Sequence, residues 1–112
     1  MNKLSLVALA REQLDLARTA SAARAATTVF GGHDNTMRQT LIALRAGAEL
    51  QEHLNPGEAT VHVLTGRVRL TAESSSWEGR TGDLLIVPDA SHSLAALEDS
   101  AVLLTAVPKR RQ

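Results

Sequence analysis

The chain has 112 residues, of which 44% are hydrophobic, and this predicts one folded domain rather than two domains or a disordered segment. Its 12 basic and 12 acidic side chains cancel, which argues against nucleic acid or an anionic membrane as the main partner. Cysteine is absent, which excludes disulfides, thiolate metal ligands and a cysteine nucleophile.

The first segment, residues 1–26, is predicted to form a helix. Val7, Ala10, Leu14 and Ala17 recur at helical spacing, and an alanine-rich stretch continues to Ala26 without proline or glycine. The apolar face of a single helix must be buried against another surface. We therefore expect the helix to pack against the rest of the domain or against a partner subunit.

The same segment does not have the pattern of a secretory signal. Its apolar run, residues 4–10, is short, and Arg11 and Glu12 follow where a cleavage site would need small residues. No apolar stretch reaches the roughly 20 residues that a transmembrane helix requires. With the absence of cysteine, this predicts a cytoplasmic protein.

The second segment, residues 27–112, alternates short apolar runs with turn signals. Such spacing is typical of an antiparallel β-sandwich or β-barrel. No internal repeat or low-complexity linker divides the chain, so helix and strands are predicted to form a single domain. The predicted strands are, in chain order, residues 27–30, 37–44, 49–54, 59–64, 68–72, 76–78, 84–87, 91–96 and 101–107.

Two glycine-led stretches have the most specific spacing in the chain. In the first, five residues separate Gly47 from His53, and Gly66 ends the stretch within the run VHVLTGRVRL. In the second, GDLLIVP begins at Gly82 and ends in a proline, and His92 follows shortly after. In order and separation, these stretches resemble the two conserved motifs of the cupin superfamily.

The resemblance implies an all-β fold, a cupin double-stranded β-helix or jelly-roll barrel preceded by the N-terminal α-helix. It also implies that His53 and His92 lie on different strands and face each other inside the barrel. Cupins commonly pair through sheet edges, and a small domain with exposed edges benefits from such pairing. We therefore expect a homodimer.

The departures from the family motifs fall on the metal ligands. Asn55 stands where the family has its second histidine, and Ala59 stands where it has glutamate. Ala90 replaces a glycine of the second motif. Of the family's usual three histidines and one glutamate, only His53 and His92 are present.

A metal site that uses the two histidines is one interpretation of this region. Two neutral imidazoles bind divalent transition metals, and the candidates are zinc, iron, nickel, manganese and copper with His53 and His92 as metal ligands. A third ligand is missing from the motif. Glu58 is adjacent to Ala59, but a shift of one residue turns a side chain to the opposite face of a strand unless a bulge intervenes.

A pocket without metal is the alternative reading of the same region. Its candidate ligand-binding residues are His53, Asn55, Gln51 and His92, which would present polar groups to an organic molecule. Of the other histidines, His62 is predicted to face outward because side chains alternate along a strand. His33 lies in a predicted turn, where we expect it to be solvated. Trp77 is expected in the core or at an interface.

Three functions follow from these observations. The favoured one is a small-molecule-binding cupin of sensor or accessory type, because half of the family's metal ligands are replaced. The second is a metal-dependent cupin enzyme of dioxygenase or isomerase type that uses His53 and His92, so that enzyme activity stays open. The third is a structural or partner-binding barrel with a filled interior. No phosphate-binding glycine loop, dinucleotide fingerprint or serine nucleophile elbow is present.

Overall fold

A computed structural model describes residues 2–52 and 57–108. Within these residues one helix precedes nine strands, and this confirms the all-β fold with an N-terminal helix. All nine predicted strands are present, most with slightly different ends. The elements are α1 (Leu6–Thr19), β1 (Arg24–Phe30), β2 (Arg38–Leu44), β3 (Glu49–Glu52), β4 (Gly57–Thr65), β5 (Arg67–Ala72), β6 (Ser75–Arg80), β7 (Leu84–Val87), β8 (His92–Ala96) and β9 (Ser100–Pro108).

The helix α1 begins at a capped end and packs on the strands. The hydroxyl of Ser5 accepts a hydrogen bond from the backbone N–H of Ala8, as an N-cap residue does. Ala10 and Ala17 of the predicted stripe are buried, but Val7 is exposed. The helix contacts β1, β2 and β9. No helix in the described part of the chain is long and apolar enough to span a bilayer.

The helix is shorter than the sequence predicts. It ends at Thr19, because Ala20 adopts an extended conformation and Ala23 has a positive φ of 59°. The chain then enters β1, where Ala26 is the register partner of Ile42. The prediction of helix to residue 26 is therefore wrong at its end, since pairing with β2 overrides the helical propensity of the alanines.

The strands form two antiparallel sheets that face each other as a jelly-roll barrel. One sheet has five strands in the order β1-β2-β9-β4-β7, and the other has four in the order β3-β8-β5-β6. Strands that are distant in sequence are neighbours in both sheets, as in β4 with β9 and β5 with β8. This topology brings side chains from most of the chain into one interior.

The buried apolar side chains of the described residues form two clusters. The larger cluster fills the space between the sheets, and the smaller one lies between α1 and the outer face of the five-stranded sheet. Strand β2 contributes to both, with Ile42 and Leu44 inside and Leu41 under the helix. Because both faces of β2 are covered, residues 41–44 form a continuous apolar run rather than an alternating one.

Candidate functional site

The barrel interior is not completely filled. A cavity of about 160 Å³ lies between the sheets, and most of its wall is hydrocarbon. Strands β2, β3, β4, β5, β8 and β9 each supply at least one lining residue. The lining residues in the described part of the chain are Ile42, Leu50, Ala59, Val61, Leu70, His92, Leu94, Val102, Leu104 and Ala106.

The five-stranded sheet supplies one wall of the cavity through β2, β9 and β4. Side chains at alternate positions of a strand face the same side of the sheet, and residues paired in register share a face. The wall is therefore built from three cross-strand pairs that all face inward. These pairs are Ile42 with Val102, Val61 with Leu104, and Ala59 with Ala106.

The four-stranded sheet supplies the opposite wall. Leu94 of β8 lies in register between Leu50 of β3 and Leu70 of β5, so three leucines form a row across the sheet. His92 precedes Leu94 by two residues on the same strand and therefore lies on the same face. This alternation brings the imidazole of His92 to a wall whose other described lining residues are apolar.

The imidazole of His92 is half-buried and held by the backbone. Its Nδ1 lies 3.1 Å from the carbonyl oxygen of Ala90. A carbonyl oxygen only accepts hydrogen bonds, so Nδ1 is the donor of this contact. In the neutral imidazole the other nitrogen, Nε2, then has a lone pair that can accept a hydrogen bond or bind a cation.

The structure brings only part of the predicted site together. His92 lines the cavity, whereas His53 and Asn55 lie outside the described residues. Gln51 is exposed, and its side-chain amide donates a hydrogen bond to Glu49 Oε1 at 2.9 Å. Its neighbour Leu50 is the β3 residue that lines the cavity, so Gln51 lies on the opposite face of the strand.

The described residues do not fit a metal centre of the family's type. Ala59, which stands at the position of the family's glutamate, lines the cavity with a methyl group. Glu58 is exposed, and the register from Gly57 to Val63 continues without a bulge that would turn it inward. Within residues 2–52 and 57–108, no group of three histidine, aspartate or glutamate side chains could hold a metal ion.

The remaining residues of interest lie away from the cavity. His62 alternates with the core residues Val61 and Val63 and therefore lies on the outer face of its sheet, as the period of the strand predicts. His33 is exposed. Trp77 is 46% exposed, so it is not a core residue; it lies beside Ile86 at the edge of the barrel.

The sequence predicts the polar residues of the site but not its apolar wall. Ile42, Val61 and Leu104 define the cavity as much as His92 does, yet in the sequence they look like ordinary core residues. The signal for the cavity is a pair of alanines, Ala59 and Ala106. They lie at inward positions of strands whose other inward side chains are larger. Recognising it requires the register between β4 and β9, which the sequence does not provide.

The two antiparallel sheets form a jelly-roll barrel with a largely apolar interior cavity. Residues 40–108 match the family model described as "Cupin domain", which covers more than half of the chain. The chain therefore belongs to the cupin family. No curated protein sequence matches it significantly.

Solved structures support the same fold. A conserved protein of unknown function from Streptococcus pyogenes is 25% identical, with a TM-score of 0.71 over 82% of this chain and 80% of that one. A cupin superfamily protein from Desulfitobacterium hafniense is 16% identical, with a TM-score of 0.66 over 76% and 79%. A protein of unknown function from Rhizobium leguminosarum is 16% identical, with a TM-score of 0.69 over 97% and 98%.

Proposed function

We propose that this protein binds a small molecule inside its barrel and acts as a sensor or accessory protein. The observation that carries the proposal is the cavity of about 160 Å³, lined almost entirely by hydrocarbon, with His92 as its polar lining residue among those described. Apolar walls with one or a few polar groups are typical of small-molecule sites. The walls supply affinity, and the polar group orients the ligand.

The empty volume argues against a barrel with a purely structural role. Side chains that line unfilled space lack packing partners on one side and lose the corresponding contact energy. Larger side chains at Ala59 or Ala106 would recover part of that energy. A protein that serves only as a filled scaffold gains nothing from the space, whereas a protein that binds a ligand there does.

A metal-dependent enzyme is the second candidate, and one observation favours it. The contact between His92 Nδ1 and the Ala90 carbonyl leaves Nε2 free to coordinate, which is the arrangement of many metal-bound histidines. The cavity wall, however, has a methyl group at Ala59 where the family motif has a carboxylate. Binding without catalysis is therefore the better supported function.

The test is a screen of small organic molecules against the purified protein. A molecule that binds the native cavity raises the melting temperature in proportion to the logarithm of its concentration above the dissociation constant. The same molecules should lose their effect on Ala106→Leu, in which the new side chain occupies the cavity. If none of a broad set of molecules of 5 to 10 heavy atoms, sized on the order of a ~150 Å³ site, raises the melting temperature of the wild type, the proposal is wrong.

A further inference from the structure

The size of the cavity limits the ligand. Its volume is about 160 Å³. An apolar cavity of about 150 Å³ in another protein accommodates benzene, whereas sites for drug-sized ligands occupy roughly 300–1,000 Å³. The ligand, or the part of it that enters the barrel, is therefore about the size of a single ring. Nucleotides and disaccharides are too large for this space.

The chemistry of the wall limits the charge of the ligand. Of the ten described residues that line the cavity, nine have hydrocarbon side chains, and the tenth is His92. No lysine, arginine, aspartate or glutamate lines the cavity among the described residues. A carboxylate or an ammonium group entering this space would lose its hydration without gaining a charged partner. The wall therefore favours a neutral molecule.

The contact of His92 with the backbone determines whether the ligand's polar group must donate or accept a hydrogen bond. Because Nδ1 donates to the carbonyl of Ala90, the neutral ring has only its Nε2 lone pair left for hydrogen bonding. A lone pair accepts a hydrogen bond and cannot donate one. The complementary group on the ligand is thus a hydrogen-bond donor such as a hydroxyl.

We infer that the ligand is a neutral, ring-sized apolar molecule with one hydroxyl group, of which phenol is the simplest example. This inference rests on the proposed binding function and adds the chemical class of the ligand. The apolar part occupies the space between Val61, Leu70 and Leu104, and the hydroxyl donates to His92 Nε2. Among the described residues, that hydrogen bond is the contact that distinguishes ligands of similar size.

The experiment compares phenol, toluene and benzoate on the full chain, with affinities measured by NMR titration. Phenol and toluene have nearly the same shape, so their affinity ratio isolates the effect of the hydroxyl. The ratio is measured for the wild type and for His92→Leu, which replaces the acceptor with hydrocarbon. A buried hydroxyl without an acceptor is costly, so we expect the ratio of phenol to toluene affinity to fall about tenfold in the variant.

The outcomes separate this inference from the proposed function. If toluene binds but the ratio is unchanged by His92→Leu, or if benzoate binds more tightly than phenol, the ligand class is wrong and the binding function stands. If neither phenol nor toluene binds the wild type, the inference is overturned, and the broader screen then decides the function. Toluene binding to His92→Leu also reports that the variant is folded.

A measurement on the wild type alone keeps the inference testable should His92→Leu fail to fold. The nitrogen chemical shifts of a histidine ring distinguish the protonated from the unprotonated nitrogen. We expect the neutral ring of His92 to have its proton on Nδ1, and we expect the Nε2 resonance to move with phenol but not with toluene. A proton on Nε2 in the neutral ring, or equal shifts with both molecules, would overturn the inference.

Discussion

Ala59 of β4 and Ala106 of β9 are directly opposed in register, and both line the barrel cavity. Leucine, isoleucine and valine supply most of the remaining wall, so this pair of small residues accounts for part of the open space. Ala59 also stands where the cupin motif has a glutamate ligand. Alanine in place of the motif's glutamate at position 59 therefore removes a metal-binding carboxylate, and it also enlarges an apolar site.

Filling the cavity should stabilise the protein. Ala59→Leu adds apolar atoms to a space that already exists, and cavity-filling substitutions commonly raise the free energy of unfolding by about 0.5–2 kcal/mol. We expect a gain in that range, measured by urea denaturation monitored by circular dichroism. The same variant should no longer bind the small molecules that bind the wild type.

The matched control is Ala43→Leu. Ala43 is fully buried on β2 but does not line the cavity, so a larger side chain has no empty volume to enter. Overpacking of this kind costs about 1–3 kcal/mol. Equal destabilisation by Ala59→Leu and Ala43→Leu would mean that the interior near Ala59 is already filled.

The metal donors among the described residues predict weak metal binding or none. Tight zinc sites have three or four protein ligands, and His92 is the one histidine that lines the cavity among the described residues. We expect substoichiometric metal in protein purified without an affinity tag and incubated with zinc, iron(II), nickel or copper. Elemental analysis of the wild type beside a His53→Ala, His92→Ala double variant makes the measurement.

If metal is found in the wild type, its content in the double variant shows whether the two histidines bind it. Metal retained equally by both proteins would be bound elsewhere on the chain. Near-stoichiometric metal that disappears only in the double variant would contradict this prediction and favour the metal-dependent enzyme. Assays for dioxygenase and isomerase activity would then come first.

Local patterns predicted the fold because most of its elements obey them. The short apolar runs and the turn residues between them predict the strands, and the resemblance of the two glycine-led stretches to cupin motifs predicts the jelly-roll barrel. The sequence predicts helix for residues 24–26 because alanine favours helices, but these residues form a strand through pairing with β2. Such long-range pairing has no signature within a short window of sequence.

The site was less predictable than the fold. The motif spacing marks His92, and the structure places this residue in the cavity wall. Gln51 was expected to contribute as well, but the period of β3 turns it to the exposed face. The cavity itself depends on which small residues face each other across strands, as Ala59 and Ala106 do. That information arises only when the sheets are assembled.

The turn between β4 and β5 should be intolerant of any side chain. Gly66 has a φ of +98°, and a Cβ atom added there would overlap the hydroxyl of Ser100 and the carbonyl of Asp99. Ser100 cannot easily move, because it is fully buried and its Oγ accepts from the N–H of Arg67 at 3.0 Å and donates to the carbonyl of Glu98 at 2.8 Å. Gly66→Ala is therefore expected to lower the free energy of unfolding substantially.

Gly82→Ala is the control that separates the effect of steric overlap at Gly66 from that of backbone strain. Gly82 lies in the turn between β6 and β7. Gly82 has a similar φ of +94°, but a Cβ atom there would meet nothing within 4 Å. Both variants carry strain of about 1–3 kcal/mol. Gly66→Ala should cost about 1–3 kcal/mol more because of the overlap. Equal losses in thermal denaturation would show that the surroundings of Ser100 relax freely.

The homodimer expected from the sequence is a prediction that the surface of β7 supports. This strand is an edge of the five-stranded sheet, and its outward side chains Leu84 and Ile86 are 57% and 69% exposed. Exposed apolar edge strands are prone to pair with another chain. We expect the wild type to sediment as a dimer and Ile86→Asp to sediment as a monomer, because a buried carboxylate at the interface would lack a partner.

Leu4→Asp provides the control for the dimer prediction. Leu4 precedes α1 and is 54% exposed, so the substitution adds the same charge at a similarly exposed apolar position away from β7. Sedimentation velocity should find this variant dimeric. A monomeric wild type would contradict the prediction outright. Dissociation of both variants would mean that charge in general, rather than the edge at Ile86, governs association.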